Sequence, residues 1–180
     1  MTFVSGIFGL EGPLCDGWKT RFLSSLEVVQ GTYPWPCCVL QGSRALLAAG
    51  GFGRLWQGPM HVSGESNDAV GIGVQSGALA GNASALDELL RTFRAGSRPL
   101  DLFERFHLAV LDKRDRSLLL ATDPMGLSPL YYTEAGGVVV FSSHQTVLRL
   151  LLGEHAKPDW QGMIAFLVIG HMLGNKTLIK

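Results

Sequence analysis

Charge is scarce in this chain. Charged residues make up 17% of its 180 residues, and the formal net charge at pH 7 is zero. We therefore expect no basic surface and no nucleic-acid partner, because nucleic-acid binding needs clustered lysine and arginine.

Cysteine is also rare. The chain has three, an odd number, and Cys37 and Cys38 are adjacent. Neither a disulfide framework nor a zinc site has this spacing. We expect reduced thiols in a cytoplasmic protein, with no metal site in this domain.

Long apolar segments are missing as well. No basic region precedes an apolar stretch at the N-terminus, so no signal peptide is predicted. The apolar run over residues 163–172 is shorter than the ~20 residues that a membrane span needs, so no membrane partner is expected. The length suits one domain with a buried core.

Apolar periodicity divides the chain into short strands with helices before and after them. Strands are predicted at residues 4–10, 39–40, 45–49, 69–74, 106–111, 118–122, 129–132 and 138–141, and helices at 18–29, 85–93, 100–103, 146–152 and 159–172. The first helix is predicted to be capped by Asp16 and to bury Trp18, Phe22, Leu23 and Leu26. Residues 41–44 and 113–116 are predicted hairpin turns and 58–68 a loop. This order predicts an α+β fold with two packed sheets and helices outside.

Two blocks of sequence carry a family resemblance. The first is Ser-Gly-Ile-Phe-Gly at residues 5–9, and the second joins Phe-His-Leu-Ala-Val-Leu-Asp (106–112), Asp-Pro-Met-Gly-Leu-Ser-Pro-Leu-Tyr-Tyr (123–132) and Phe-Ser-Ser (141–143). In order and spacing they resemble the N-terminal class II glutamine amidotransferase domain of asparagine synthetases, which begins Met-Cys-Gly-Ile-Phe-Gly. The resemblance implies the αββα four-layer sandwich of the N-terminal-nucleophile hydrolases, with two mainly antiparallel sheets.

Residues 170–180 resemble the family's junction between amidotransferase and synthetase domains. The resemblance implies an amidotransferase-like domain over residues 1–157, followed over 158–180 by a helix and linker toward a C-terminal ATP-dependent synthetase domain. That domain would be the main partner and would hold ATP and magnesium, and this domain would need no cofactor. The other expected association is a homodimer.

Ser5 occupies the position of the family's catalytic cysteine. In the family that cysteine is the first residue, so its thiol is the nucleophile and its α-amine the base. Ser5 instead follows Val4, and a peptide nitrogen is not basic. We therefore expect no catalytic residue here, unless cleavage after Val4 exposes Ser5.

The family's oxyanion hole comes from an Asn-Gly-Glu motif. The matching residues are Ser76, Gly77 and Ala78, so the amide donor is shortened and the acidic anchor is lost. A shift of one residue would put Gln75 in the place of the asparagine.

The substrate anchors are altered too. Ala85 replaces a second acidic residue, with Asp87 as a displaced substitute, and Arg54 matches the arginine that pairs with the substrate carboxylate. A vestigial glutamine pocket is thus expected at Ser5, Arg54, Ser76 and Gly77. Cys37, Cys38, His61, Glu65 and His144 are weaker, isolated candidates for other chemistry.

The resemblance, together with these losses, implies a glutaminase-dead domain that is the scaffold of an asparagine-synthetase-like, ATP-dependent ligase. β-Lactam synthetases and lasso-peptide cyclases are similar in having such a first domain. An active glutamine-dependent asparagine synthetase, a hydrolase with a serine nucleophile, and a non-catalytic interaction module are the alternatives.

Overall fold

Nine antiparallel strands form two sheets in the described part of the computed structural model. The model describes residues 2–32, 37–51, 62–65, 69–76, 91–92, 95, 105–123, 129–171 and 177–178. The strands are β1 (Thr2–Gly9), β2 (Cys37–Gln41), β3 (Ala45–Gly51), β4 (Val62–Glu65), β5 (Ala69–Ser76), β6 (Arg105–Asp112), β7 (Ser117–Thr122), β8 (Tyr131–Ala135) and β9 (Val138–Ser142). One sheet has the order β2-β3-β1-β9-β8 and the other β4-β5-β6-β7.

Helices cover one face of the five-stranded sheet. The covering helices are α1 (Asp16–Thr32) and α2 (Gln145–Leu152). A third helix, α3 (Trp160–Ile169), follows them along the chain. Phe3 and Ile7 on β1 pack with α1 and α2, whereas Val4 and Phe8 face β6 and β7 of the other sheet. This alternation follows from the two-residue period of a strand, and it makes β1 part of two separate cores.

The predicted α+β class with two antiparallel sheets is confirmed, and both predicted hairpins are present. At the tip of the β6–β7 hairpin the Asp112 carboxylate accepts the backbone N–H groups of Arg114 (2.9 Å) and Asp115 (3.2 Å). Arg91 and Thr92 are helical, but the rest of the predicted 85–93 helix and the 100–103 turn lie outside the described residues.

Helix α1 differs from its prediction in the side chains that it buries. Leu23 is 41% exposed, and Ser25 is buried in its place beside Phe22 and Leu26. The Ser25 hydroxyl donates to the Phe22 carbonyl at 2.7 Å, which satisfies its polar group inside the core. Asp16 is the first residue of the helix, with its carboxylate 3.1 Å from Lys19 Nζ.

The bounds of three elements also differ from those predicted from the sequence. The predicted loop 58–68 contains β4, an edge strand whose ladder with β5 needs no apolar alternation. Strand β8 runs to Ala135 because Gly136 and Gly137 supply the two positive φ angles of a tight hairpin turn. Helix α3 ends at Ile169 because Gly170 adopts a left-handed conformation with φ 82°.

Gly6 marks the closest approach within the core. A Cβ atom at this position would overlap the ring of Phe141 and lie 2.8 Å from the carbonyl oxygen of Leu46. Because one neighbour is backbone and the other a fully buried ring, neither has room to move. The glycine in the Gly-Ile-Phe-Gly motif is therefore a packing requirement here.

We expect Gly6→Ala to lower the free energy of unfolding by about 1–3 kcal/mol through overpacking. Gly31→Ala is the matched control, since a Cβ atom at this exposed helical position meets nothing within 4 Å. That control should be neutral or stabilising by about 0.5–1 kcal/mol. Urea unfolding measures both, and equal stabilities for the two variants would contradict the packing argument.

Candidate functional site

Ser5 lies in the interior of β1, with strand on both sides of it. The three residues before it, Thr2 to Val4, continue the ladder opposite Gly51, Gly50 and Ala49 of β3. Ser5 itself is opposite Ala48 on β3 and Ser142 on β9. Ser5, which the resemblance predicts to be at the family's nucleophile position, is therefore a central-strand residue flanked by two partner strands.

The Ser5 side chain is buried on the helix side of the five-stranded sheet. Strand alternation puts it on the face that carries Phe3 and Ile7, which pack against α1 and α2. Its exposed fraction is 0%. A hydroxyl in this position points away from the other sheet and has no route to solvent in the described structure.

A polar network joins Ser5 to the end of β9. The hydroxyl oxygens of Ser5 and Ser142 are 2.6 Å apart, and the Ser142 oxygen also accepts the backbone N–H of His144 at 2.9 Å. One residue along, Ser143 donates its N–H to the Val4 carbonyl (2.8 Å), and its hydroxyl accepts the Val4 N–H (2.9 Å). These bonds satisfy the polar groups around Ser5 without solvent.

The other residues of the expected pocket are only partly described. Ser76 is the last residue of β5 and pairs with Arg105 of β6. Strand β5 belongs to the four-stranded sheet, which lies on the far side of β1 from the Ser5 hydroxyl. Arg54, Gly77, Ala78, Ala85 and Asp87 lie outside the described residues.

The weaker candidates are dispersed. Cys38 is half-buried on edge strand β2, and His144 precedes α2 with its buried Nδ1 atom bonded to none of the described groups. His61 lies outside the described residues, as does the side chain of Glu65. Within the described ranges no three His, Cys, Asp or Glu side chains converge as metal ligands. None of the described helices has the length and apolar character to cross a membrane.

A family model described as a glutamine amidotransferase domain matches residues 89–180. This is just over half of the chain. The chain belongs to that family. No curated protein matches it.

The matched part of this amidotransferase domain begins after the Ser-Gly-Ile-Phe-Gly motif. It contains the second motif block, with β6 to β9 and α2, and it does not include Ser5. The family is therefore shown by the C-terminal half of the chain. Strands β1, β2 and β3 complete the sheet of β8 and β9, and β4 and β5 complete the sheet of β6 and β7.

Ser142 lies in the Phe-Ser-Ser motif at residues 141–143, but the sequence predicts no role for its side chain. Nothing in the local sequence signals that its hydroxyl meets Ser5, because the two residues are 137 positions apart. The contact exists only through the β1–β9 register, which pairs Ser5 directly with Ser142. The amidotransferase domain thus has a hydroxyl pair at the position for which the resemblance predicts the family's nucleophile.

We expect the two hydroxyls to be energetically coupled. In a double-mutant cycle of Ser5→Ala and Ser142→Ala, the coupling energy should be about 0.5–1.5 kcal/mol, the usual contribution of a buried hydrogen bond. Ser24→Ala, an exposed serine on α1, is the matched control and should change stability by less than about 0.5 kcal/mol. Additive effects in urea unfolding would show that the hydroxyls are not paired.

Proposed function

We propose that this amidotransferase domain does not hydrolyse glutamine and is the scaffold of an asparagine-synthetase-like, ATP-dependent ligase in the cytoplasm. The observation that carries the proposal is the position of Ser5, buried in the middle of β1 with its hydroxyl bonded to Ser142.

Acyl transfer from glutamine needs an accessible nucleophile with a base within hydrogen-bond reach. Ser5 has neither in the described structure. Its hydroxyl partner is another hydroxyl, Ser142, and its own nitrogen is a peptide nitrogen within β1. A serine hydroxyl without a base stays protonated at neutral pH, which supports the loss of glutaminase activity.

Cleavage before Ser5 would restore an α-amine, but the packing of the preceding residues opposes it. Phe3 is 1% exposed and belongs to the helix-side core, while Val4 is fully buried in the core between the sheets. Removing both would forfeit about 3–6 kcal/mol of apolar burial at ~1.5–3 kcal/mol for each side chain. Phe3 and Val4 are part of the core, and this supports an unprocessed β1.

We expect no release of ammonia from glutamine above the level of Ser5→Ala. Ser5→Cys should also stay at that level, because a thiol at this position is equally buried and lacks a base. Coupled ammonia detection measures both, with a glutamine-hydrolysing enzyme as positive control. Ammonia release by the unmodified domain that Ser5→Ala abolishes would overturn the proposal.

A variant that begins at Ser5 tests the processing alternative separately. Its free energy of unfolding should be lower by roughly 3–6 kcal/mol, so it should unfold at a lower urea concentration. It should also remain inactive. Intact mass of the purified protein should show no species beginning at Ser5. A stable and active Ser5-first variant would favour the hydrolase with a serine nucleophile instead.

Helix α3 supports the scaffold role. Its most exposed large apolar side chains are Trp160, Ile164, Leu167 and Val168, which are 60–80% exposed and share one face of the helix at i, i+4, i+7 and i+8 spacing. No charged residue occurs between Asp159 and His171. Apolar surface of this kind on a domain is typical of an interaction site.

Phe166, Ile169 and Leu178 are also exposed, at 43–46%. Helix α3 also makes no extensive contact with another described helix or strand. Both observations support a division near residue 157. We propose the ligase domain as the partner that covers α3, with ATP and magnesium bound in that domain.

We expect the α3 surface to promote self-association of this chain in isolation. Replacing Leu167 and Val168 with lysine should shift the chain toward monomer, since both side chains are more than three-quarters exposed and contribute little to the domain's own core. Leu23→Lys, an exposed apolar position on α1, is the control for added charge and should have a smaller effect. Sedimentation velocity over a concentration series measures the change. Monomeric behaviour of the unmodified chain at high concentration would contradict this role for α3.

A further inference from the structure

Trp18 lies at a junction of three elements near the base of α3. Its ring stacks on His155 with centroids 6.5 Å apart and an interplanar angle of 24°. The guanidinium carbon of Arg21 lies 5.3 Å from the Trp18 ring centroid, a cation–π distance. Arg21 also donates to the carbonyl oxygen of Leu151 at 3.3 Å, near the end of α2.

Two glycines give this cluster its shape. Gly136, at the β8–β9 turn, has φ 56°, and a Cβ atom there would lie 3.3 Å from Trp18 Cζ2. Gly153 has φ 52° and ψ −118°, a conformation that a residue with a side chain rarely adopts. This conformation turns the chain out of α2 and brings His155, two residues later, onto Trp18.

The chain leaves this cluster directly into α3. Ala156 packs against the helix-side core, and the Asp159 carboxylate caps α3 by accepting the N–H groups of Gln161 (3.1 Å) and Gly162 (3.2 Å). The Asp159 N–H donates to the Leu178 carbonyl at 3.0 Å, so the segment after α3 returns to its base. Gly162 is buried because the backbone carbonyl of Thr177 packs against it.

We propose that the Trp18–Arg21–His155 cluster is a rigid mount that holds the base of α3 on α1 and so presents the apolar face of α3 in one direction. Helix α3 has few contacts of its own with the sheets, so its base is held by the Trp18–His155 stack that precedes it and by the contacts of Thr177 and Leu178. How firmly the base of α3 is held does not depend on which partner covers the helix.

Backbone ¹⁵N relaxation of the whole 180-residue chain tests the mount. A Leu167→Lys background limits self-association, which would otherwise restrain the helix. We expect the order parameters of the α3 amides to match those of β1 and β9, about 0.85, and to fall toward about 0.6 in His155→Ala and Trp18→Leu. His155→Phe, which keeps a ring on Trp18, should restore them.

Glu154→Ala is the matched control, because Glu154 is exposed in the same turn as His155. It should leave the α3 order parameters unchanged, and the strand amides should stay near 0.85 in every variant. His155→Ala keeps the test valid if Trp18→Leu unfolds the domain. Low α3 order parameters in the starting protein, or no difference between His155→Ala and Glu154→Ala, would overturn the proposal.

Discussion

The continuous pairing of β1 with β3 and β9 is the constraint on which the rest of this domain depends. β1 is the central strand of its sheet, and it contributes Phe3 and Ile7 to one core and Val4 and Phe8 to the other. Because a strand alternates its side chains, a change of one residue in register would exchange the two cores. The position of Ser5 is therefore determined by packing on both sides of the sheet.

This constraint conflicts with the nucleophile role that the resemblance predicts for the position of Ser5. A nucleophile needs a free amine or another base and a path for the substrate, whereas an interior position of a central strand offers neither. In this chain the strand extends beyond Ser5, and small residues on β3, Ala49 and Gly50, lie opposite the extension. A buried hydroxyl that is paired with Ser142 costs little to keep, while an unpaired one would be expensive.

The apolar residues of this chain are divided between a closed core and a helix that protrudes from it. Phe22, Leu26 and Leu151 are buried between helices and sheet, whereas Leu167 and Val168 remain largely in solvent. The junction through Trp18 and His155 connects these two regions by short, specific contacts instead of a broad apolar interface. If α3 docks onto a ligase domain as we propose, a held helix would lose less conformational entropy on docking than a mobile one.

The sequence by itself determined the family, the fold class and most strand positions, because motif spacing and two-residue periodicity are local properties. It also placed Gly6 and Ser5 on the first strand. It did not reveal that Ser25 would replace Leu23 in the core or that β4 would pair with β5, since both depend on which surface the element meets. Only the tertiary structure decided that Ser5 faces the helices, meets Ser142 and is closed to solvent. The physical reason is that the face and the partner of a central-strand residue are set by the register of two other strands, which are distant in sequence.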